Sequence, residues 1–194
     1  MTRTEVKIAG YGGQGVITMG KMIAAAAILH QKGTTATQTE AYGAQSRGGS
    51  CWSAIVISDE DTIDYPQVTI PVDILIVLSE EAARNFKGDV KPDGFAIFDP
   101  FTVNAKKFKP RARTYEVPAN QIATEELKMP VIQNAVMFGA FVGITESITE
   151  EAGRSCVRSF VPEKFVDINL RAYERGLEIG KKLKADSAQP KASP

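Results

Sequence analysis

The sequence predicts an α/β fold, a single three-layer domain around a largely parallel or mixed sheet with a Rossmann-like first β-loop-α unit. Three observations predict it. Short apolar runs alternate with segments of helical spacing along the chain. A glycine-rich loop, Gly10-Tyr11-Gly12-Gly13-Gln14-Gly15, separates a first strand from a first helix. Ile74 to Leu78 is an unbroken aliphatic run, the pattern of a strand buried on both faces.

Taken in order, Val6 to Ala9 is a strand and the helix after the glycine loop reaches about Gln31. Its apolar stripe is Val16, Gly20, Ile23, Ala24, Ala27 and Ile28, with Gly33 as the stop. Thr34 to Thr39 is a second strand by its threonines. Glu40 to Gly49 is expected to be a loop, followed by a strand from Ser50 to Ser58 and a turn at Asp59-Glu60-Asp61. After the aliphatic strand come a helix over Glu80 to Phe86, a turn at Lys91-Pro92-Asp93-Gly94, and strands at Phe95 to Phe98 and Thr114 to Val117. Asn134 to Ile144 is apolar on nearly every side, which predicts a buried helix. Thr149 caps the next helix, with Glu150 and Glu151 in its first turn. Ile168 to Leu183 is the last helix. The domain is therefore placed at 1–184, and 185–194, made of Ala, Asp, Ser, Gln, Pro and Lys, as a disordered tail.

Composition narrows the function. The chain has 194 residues, 43% hydrophobic, enough for one cored domain. Its 23 basic and 23 acidic residues balance, and no basic block is read before the tail, which argues against nucleic acid or a membrane surface as partner. No signal peptide and no run of about 18 apolar residues is read, so a cytoplasmic protein is expected. Cys51 and Cys156 have no disulfide, metal or cluster spacing. The single histidine, His30, excludes an ordinary Ser-His-Asp or Cys-His set without it. No catalytic residue and no metal ligand is predicted in this chain.

Two loops carry the chemistry. The glycine loop ends at a helix N-terminus, where free amides and the helix dipole favour an anion. A dinucleotide site there requires an acidic residue about 20 positions on. Between Val6 and Thr39 no Asp or Glu occurs, and Glu40 comes late. Three readings stay open: a nicotinamide or flavin site, a tight turn only, and a contact with a phosphate-bearing ligand or a neighbouring subunit. The second loop holds Tyr42, Gly43, Arg47, Gly48 and Gly49. Arginine followed by two glycines offers a forked cation and unobstructed amides to a phosphate or carboxylate. The plain alternative is a surface loop with Arg47 paired to Glu40.

The order of these motifs, Gly-Tyr-Gly-Gly-Gln-Gly, then Tyr42-Gly43 with Arg47-Gly48-Gly49, then Val56-Ile57-Ser58, resembles the gamma subunit of 2-oxoacid:ferredoxin oxidoreductases. Asn134-Ala135-Val136-Met137-Phe138-Gly139-Ala140 and Asn169-Leu170-Arg171-Ala172-Tyr173 with Gly176 are similar to two further helices of that family. The resemblance runs from about Val6 to Lys182. It implies a non-catalytic subunit that helps bind coenzyme A. Thiamine diphosphate, magnesium and iron–sulfur clusters would sit on partner subunits: thiamine-binding alpha and beta chains and a ferredoxin-like chain, with ferredoxin or another acceptor taking the electrons. The residues carried over are Gly12, Gly13, Gln14, Gly15, Tyr42, Gly43, Arg47, Gly48, Gly49 and Asn134. Many relatives have Pro-Glu between Tyr-Gly and Arg-Gly-Gly, where this chain has Ala44-Gln45-Ser46. Ile57-Ser58-Asp59-Glu60 with Tyr65-Pro66 is more similar to 2-oxoglutarate enzymes than to indolepyruvate ones.

Overall fold

The computed structural model describes residues 3–43 and 49–188. Six strands form one sheet: β1 Thr4–Tyr11, β2 Thr35–Tyr42, β3 Ser50–Ser58, β4 Val72–Val77, β5 Val90–Phe98 and β6 Arg113–Glu116, in the order β2-β3-β1-β4-β5-β6. β1, β4, β5 and β6 run parallel, while β3 is antiparallel to both β1 and β2. The sheet is therefore mixed, with β3 its single reversed strand.

Alternation along the strands sorts the core into two layers. Val6, Ile8, Ile55, Ile57, Ile74, Ile76 and Ile97 face one side. There they meet α1 (Val16–Leu29), α4 (Gln133–Thr145), α5 (Glu150–Phe160) and α6 (Val166–Ala188). Ala9, Leu75, Val77, Ala96 and Phe98 face the other side, covered by α2 (Glu80–Phe86) and by Val103 and Phe108 of the following segment. A short helix, α3 (Ala119–Gln121), runs on as a π turn over Ile122–Glu126.

α4 explains its own lack of pattern. Ala135 to Ile144 are all buried, because α6, α1 and α5 pack around the helix. α4 and α6 touch through backbone. A Cβ at Gly139 would fall on the Tyr173 carbonyl, one at Gly176 on the Val136 carbonyl, and one at Gly143 would lie 2.6 Å from the Leu177 carbonyl. Thr149 caps α5 as the sequence implies, its side chain accepting from the Ala152 amide. Glu150, behind that cap, and Glu174 of α6 join the two helices. Arg154 donates to Glu174 at 2.6 and 3.1 Å and to Glu150 at 3.2 Å, and Lys181 pairs with Glu150 at 2.5 Å.

Four expectations are corrected. β2 continues through Glu40, Ala41 and Tyr42, because their partners Ser53, Trp52 and Cys51 extend the ladder. Lys91 to Gly94 is an irregularity inside β5 rather than a turn between elements: Val90 pairs with Val72 but Phe95 with Ile74. The Lys91 ammonium anchors this bulge on Asp73 at 2.6 Å. α6 runs through Ala188, past the expected start of a tail at Ala185, and 189–194 lie outside the described residues. Ile28, assigned to the buried stripe of α1, is 50% exposed. The charge is also less evenly spread than its balance suggests. Lys106, Lys107, Lys109, Arg111 and Arg113 crowd one exposed segment.

Candidate binding site

The glycine loop lies at the carboxyl ends of β1 and β4. Because β3 is reversed, the β2–β3 connection arrives at the same end as the β1–α1 connection. Backbone bonds lock the two together: the Gly12 amide donates to the Gly49 carbonyl at 3.0 Å, and the Gly43 amide to Ser50 at 2.7 Å. Arg47 and Gly48 fall outside the described residues.

Gln14 braces the loop. Its Oε1 accepts from the Tyr11 amide at 2.7 Å, and its Nε2 donates to the Leu78 carbonyl at 2.5 Å. Leu78 in turn donates its amide to Ala9. The carboxamide thus spans β1 and the end of β4. Tyr11 points the other way and donates its hydroxyl to Glu81 at 2.7 Å, and this bond holds its pKa above the ordinary phenol value.

Gly13 and Gly15 have positive φ, 96° and 77°. Gly15 is the residue before α1 and supplies no side-chain cap. The first-turn amides of Val16, Ile17 and Thr18 therefore lack intrahelical acceptors, and no acidic residue sits in that turn to satisfy the dipole. Gly15 also has a steric duty: a Cβ there would lie 2.7 Å from Asn134 Cβ.

This uncapped helix start opens on a cavity of about 540 Å³. Gly12, Gly13, Gly15, Tyr42 and Asn134, all predicted from sequence, line it. Gln14, Gly43 and Gly49 do not; they hold its rim in shape. Sequence reading missed the opposite wall. Val131 precedes α4, Val161, Pro162 and Phe165 join α5 to α6, and Asn169 belongs to the first turns of α6. Val131 is 72% exposed and Tyr42 65%, so the mouth has an apolar rim. Cys51 also lines the cavity, and burial raises its thiol pKa. Asn169 stood inside a motif singled out from the sequence. Its burial at 8% exposure, unusual for an amide, was not visible there.

Glu40, the nearest acid for a dinucleotide ribose, is committed elsewhere. It lies 3.6 Å from Lys21 and accepts from Gln38. Among the described residues no group of three or more His, Cys, Asp or Glu could hold a metal ion, and no helix is long and apolar enough to cross a membrane.

Known proteins share this chain's sequence and fold. Residues 5–179 match the family model described as pyruvate ferredoxin/flavodoxin oxidoreductase. The chain belongs to this family. Within the pyruvate ferredoxin/flavodoxin oxidoreductase family it is similar to 2-oxoglutarate synthase subunit KorC of Methanocaldococcus jannaschii, 38% identical over 93% of this chain and 96% of that one. Ketoisovalerate oxidoreductase subunit VorA of Methanothermobacter marburgensis is 36% identical over 92% of this chain and 37% of its own length. The gamma subunit of a keto/oxoacid ferredoxin oxidoreductase from Geobacter sulfurreducens has the same fold, with a TM-score of 0.83 at 32% identity, covering 94% and 99% of the two chains. A 2-oxoglutarate:ferredoxin oxidoreductase from Magnetococcus marinus, solved with 2-oxoglutarate, coenzyme A and succinyl-CoA bound, shares the fold at 24% identity and a TM-score of 0.82, over 32% of its length. This family member is thus a gamma-type subunit of a 2-oxoacid:ferredoxin oxidoreductase.

Proposed function

We propose that this gamma subunit serves a 2-oxoglutarate-oxidising complex and holds coenzyme A at the α1 N-terminus. The observation that carries the reading is an uncapped helix start, free of acidic residues, opening on a largely apolar cavity. Phosphate oxygens suit the first-turn amides, and the organic body of the coenzyme suits the walls. The relatives named 2-oxoglutarate synthase subunits support the choice of oxo acid. Thiamine diphosphate with magnesium, on thiamine-binding alpha and beta chains, would supply decarboxylation, and iron–sulfur clusters on a ferredoxin-like chain would carry electrons to ferredoxin. The residues of this chain bind and orient: Gly12, Gly13 and Gly15 let the ligand approach the backbone, Gln14 holds the loop, and Arg47 adds a cation from the neighbouring loop. We place this work in the cytoplasm.

The test is the assembled complex supplied with each oxo acid and a viologen dye. We expect coenzyme A-dependent dye reduction, with kcat/KM for 2-oxoglutarate at least about tenfold above that for pyruvate or 2-oxoisovalerate. Equal use of all three overturns the substrate assignment, and turnover indifferent to coenzyme A overturns the site.

A further inference from the structure

The side of the sheet away from α1, α4, α5 and α6 carries an exposed cluster of cations. Phe108 and Ala112 pack into the core layer under α2, and Lys106, Lys107, Lys109 and Arg111 around them are exposed. The Phe108 ring is fixed by an edge contact with Phe98, centroids 5.3 Å apart. Arg84 and Lys87, at the end of α2, meet Lys107 around a cleft of about 260 Å³ that Ala83 and Phe108 also line. Lys87, Lys106, Lys107, Lys109 and Arg111 form no ion pair among the described residues. Cations of the opposite layer are used differently: Arg154, Arg175, Lys181 and Lys184 are each paired with a glutamate. The chain has no net charge, so the cluster is a local feature and not the mark of a basic protein. Like charges crowded in this way repel one another, a cost that an anionic partner offsets.

We propose that this basic face docks an acidic ferredoxin, the electron acceptor, and steers it toward clusters held by a neighbouring chain. The proposal rests on the reading of ferredoxin as acceptor given above and is independent of the coenzyme A site. With Cys51 and Cys156 as its only cysteines, this chain has too few thiolates to hold an iron–sulfur cluster. What it can give to electron transfer is collision frequency and orientation. Unpaired Lys and Arg supply both, raising association with an acidic protein by about 10- to 1000-fold at low salt. The surroundings favour a protein over a run of phosphates. Glu80 lines the same cleft, its carboxylate accepting from the Asn104 amide at 2.8 Å, and a row of phosphates would meet repulsion there. Phe101, 57% exposed, shares an adjoining hollow with Lys106. A protein surface sets apolar side chains among its carboxylates, which suits an exposed aromatic beside cations. The face also lies across the sheet from α1, so carrier and coenzyme can be bound together.

The experiment uses the assembled complex with two acceptors, a purified acidic ferredoxin and a viologen dye. Lys107→Glu and Lys109→Glu are made together; both side chains are exposed, so the fold is expected to hold. At low ionic strength kcat/KM for ferredoxin should fall about tenfold or more, through KM, while dye reduction and the KM for coenzyme A stay at wild-type values. Added salt should lower the wild-type kcat/KM for ferredoxin, because the Debye length shrinks to about 10 Å at 0.1 M, and the variant should respond less. Lys107→Arg with Lys109→Arg should keep wild-type kinetics, since charge is what is read. Ferredoxin kinetics indifferent to the charge reversal overturn the docking surface, and they do so in favour of a membrane if the same reversal releases the complex from vesicles of anionic phospholipid. A variant complex that falls apart in native mass analysis also overturns it, by making the face a subunit contact. A wild-type complex that reduces the dye but not ferredoxin defeats the acceptor reading itself.

Discussion

At the scale of single residues, the glycine loop divides into positions that shape it and positions that face the cavity. Gln14 is of the first kind. Gln14→Ala strands the Tyr11 amide and the Leu78 carbonyl, and should cost about 1–3 kcal/mol of stability, seen as a lower melting temperature of the complex. A variant of unchanged stability and weakened coenzyme A binding would instead make Gln14 a ligand contact. Gly13 and Gly15 share positive φ but differ in surroundings. Nothing lies within 4 Å of a Cβ at Gly13, whereas Gly15 abuts Asn134. Gly13→Ala should therefore cost only the left-handed strain, about 1–2 kcal/mol. Gly15→Ala adds displacement of Asn134 and should raise the KM for coenzyme A about tenfold more than Gly13→Ala does. Equal KM values for the two variants would remove Asn134 from the site.

Between elements, the α4–α6 contact leaves no room for side chains at its glycines. Gly176→Val must part the helices, a loss of more than about 4 kcal/mol, and soluble expression should fail. A soluble variant melting near wild type would show that the helices can separate. The α5–α6 ion network gives a pH signature. Lys181, and after it Arg154, hold the Glu150 carboxyl below its ordinary value. A depressed carboxyl stabilises the fold at pH values above its unfolded pKa of about 4.3, and that contribution disappears as pH falls through the lower folded value. Melting temperature should thus drop on acidification more steeply for wild type than for Glu150→Gln. Parallel curves would mean that solvent screens the network out of relevance, as exposed pairs often are.

For the molecule as a whole, burial makes a thiol a reporter of unfolding. Cys156 is buried, donates to the Met22 carbonyl, and has its pKa pushed up to about 12 by burial. Near pH 8 a thiol reagent should label Cys156 only as fast as the protein unfolds, while Cys51, on the cavity wall, should react sooner and be shielded by coenzyme A. Labelling of Cys156 faster than unfolding would reveal a local opening of α5. The sequence carried most of this architecture where local chemistry decides structure. The Ser50–Ser58 alternation, the Thr149 cap and the Ile74 to Leu78 run each appear where the pattern places them. It misjudged positions fixed by distant partners. Glu40 to Tyr42 read as loop because nothing local shows that Cys51, Trp52 and Ser53 will pair with them. The cavity's far wall was hidden for the same reason: Val131, Phe165 and Asn169 meet the glycine loop only through packing across more than a hundred residues of chain.

The bare seam between α4 and α6 has a further consequence. Asn134 lies five residues before Gly139, and Asn169 seven before Gly176, each on its own helix. A slip of one residue along either helix would shift its asparagine by about 1.5 Å and swing it by roughly 100°. Interdigitated side chains can absorb such slippage by changing rotamer. Backbone pressed on backbone cannot, so the seam works as a mechanical gauge, setting the calibration of two cavity-lining amides from a place that the cavity does not reach.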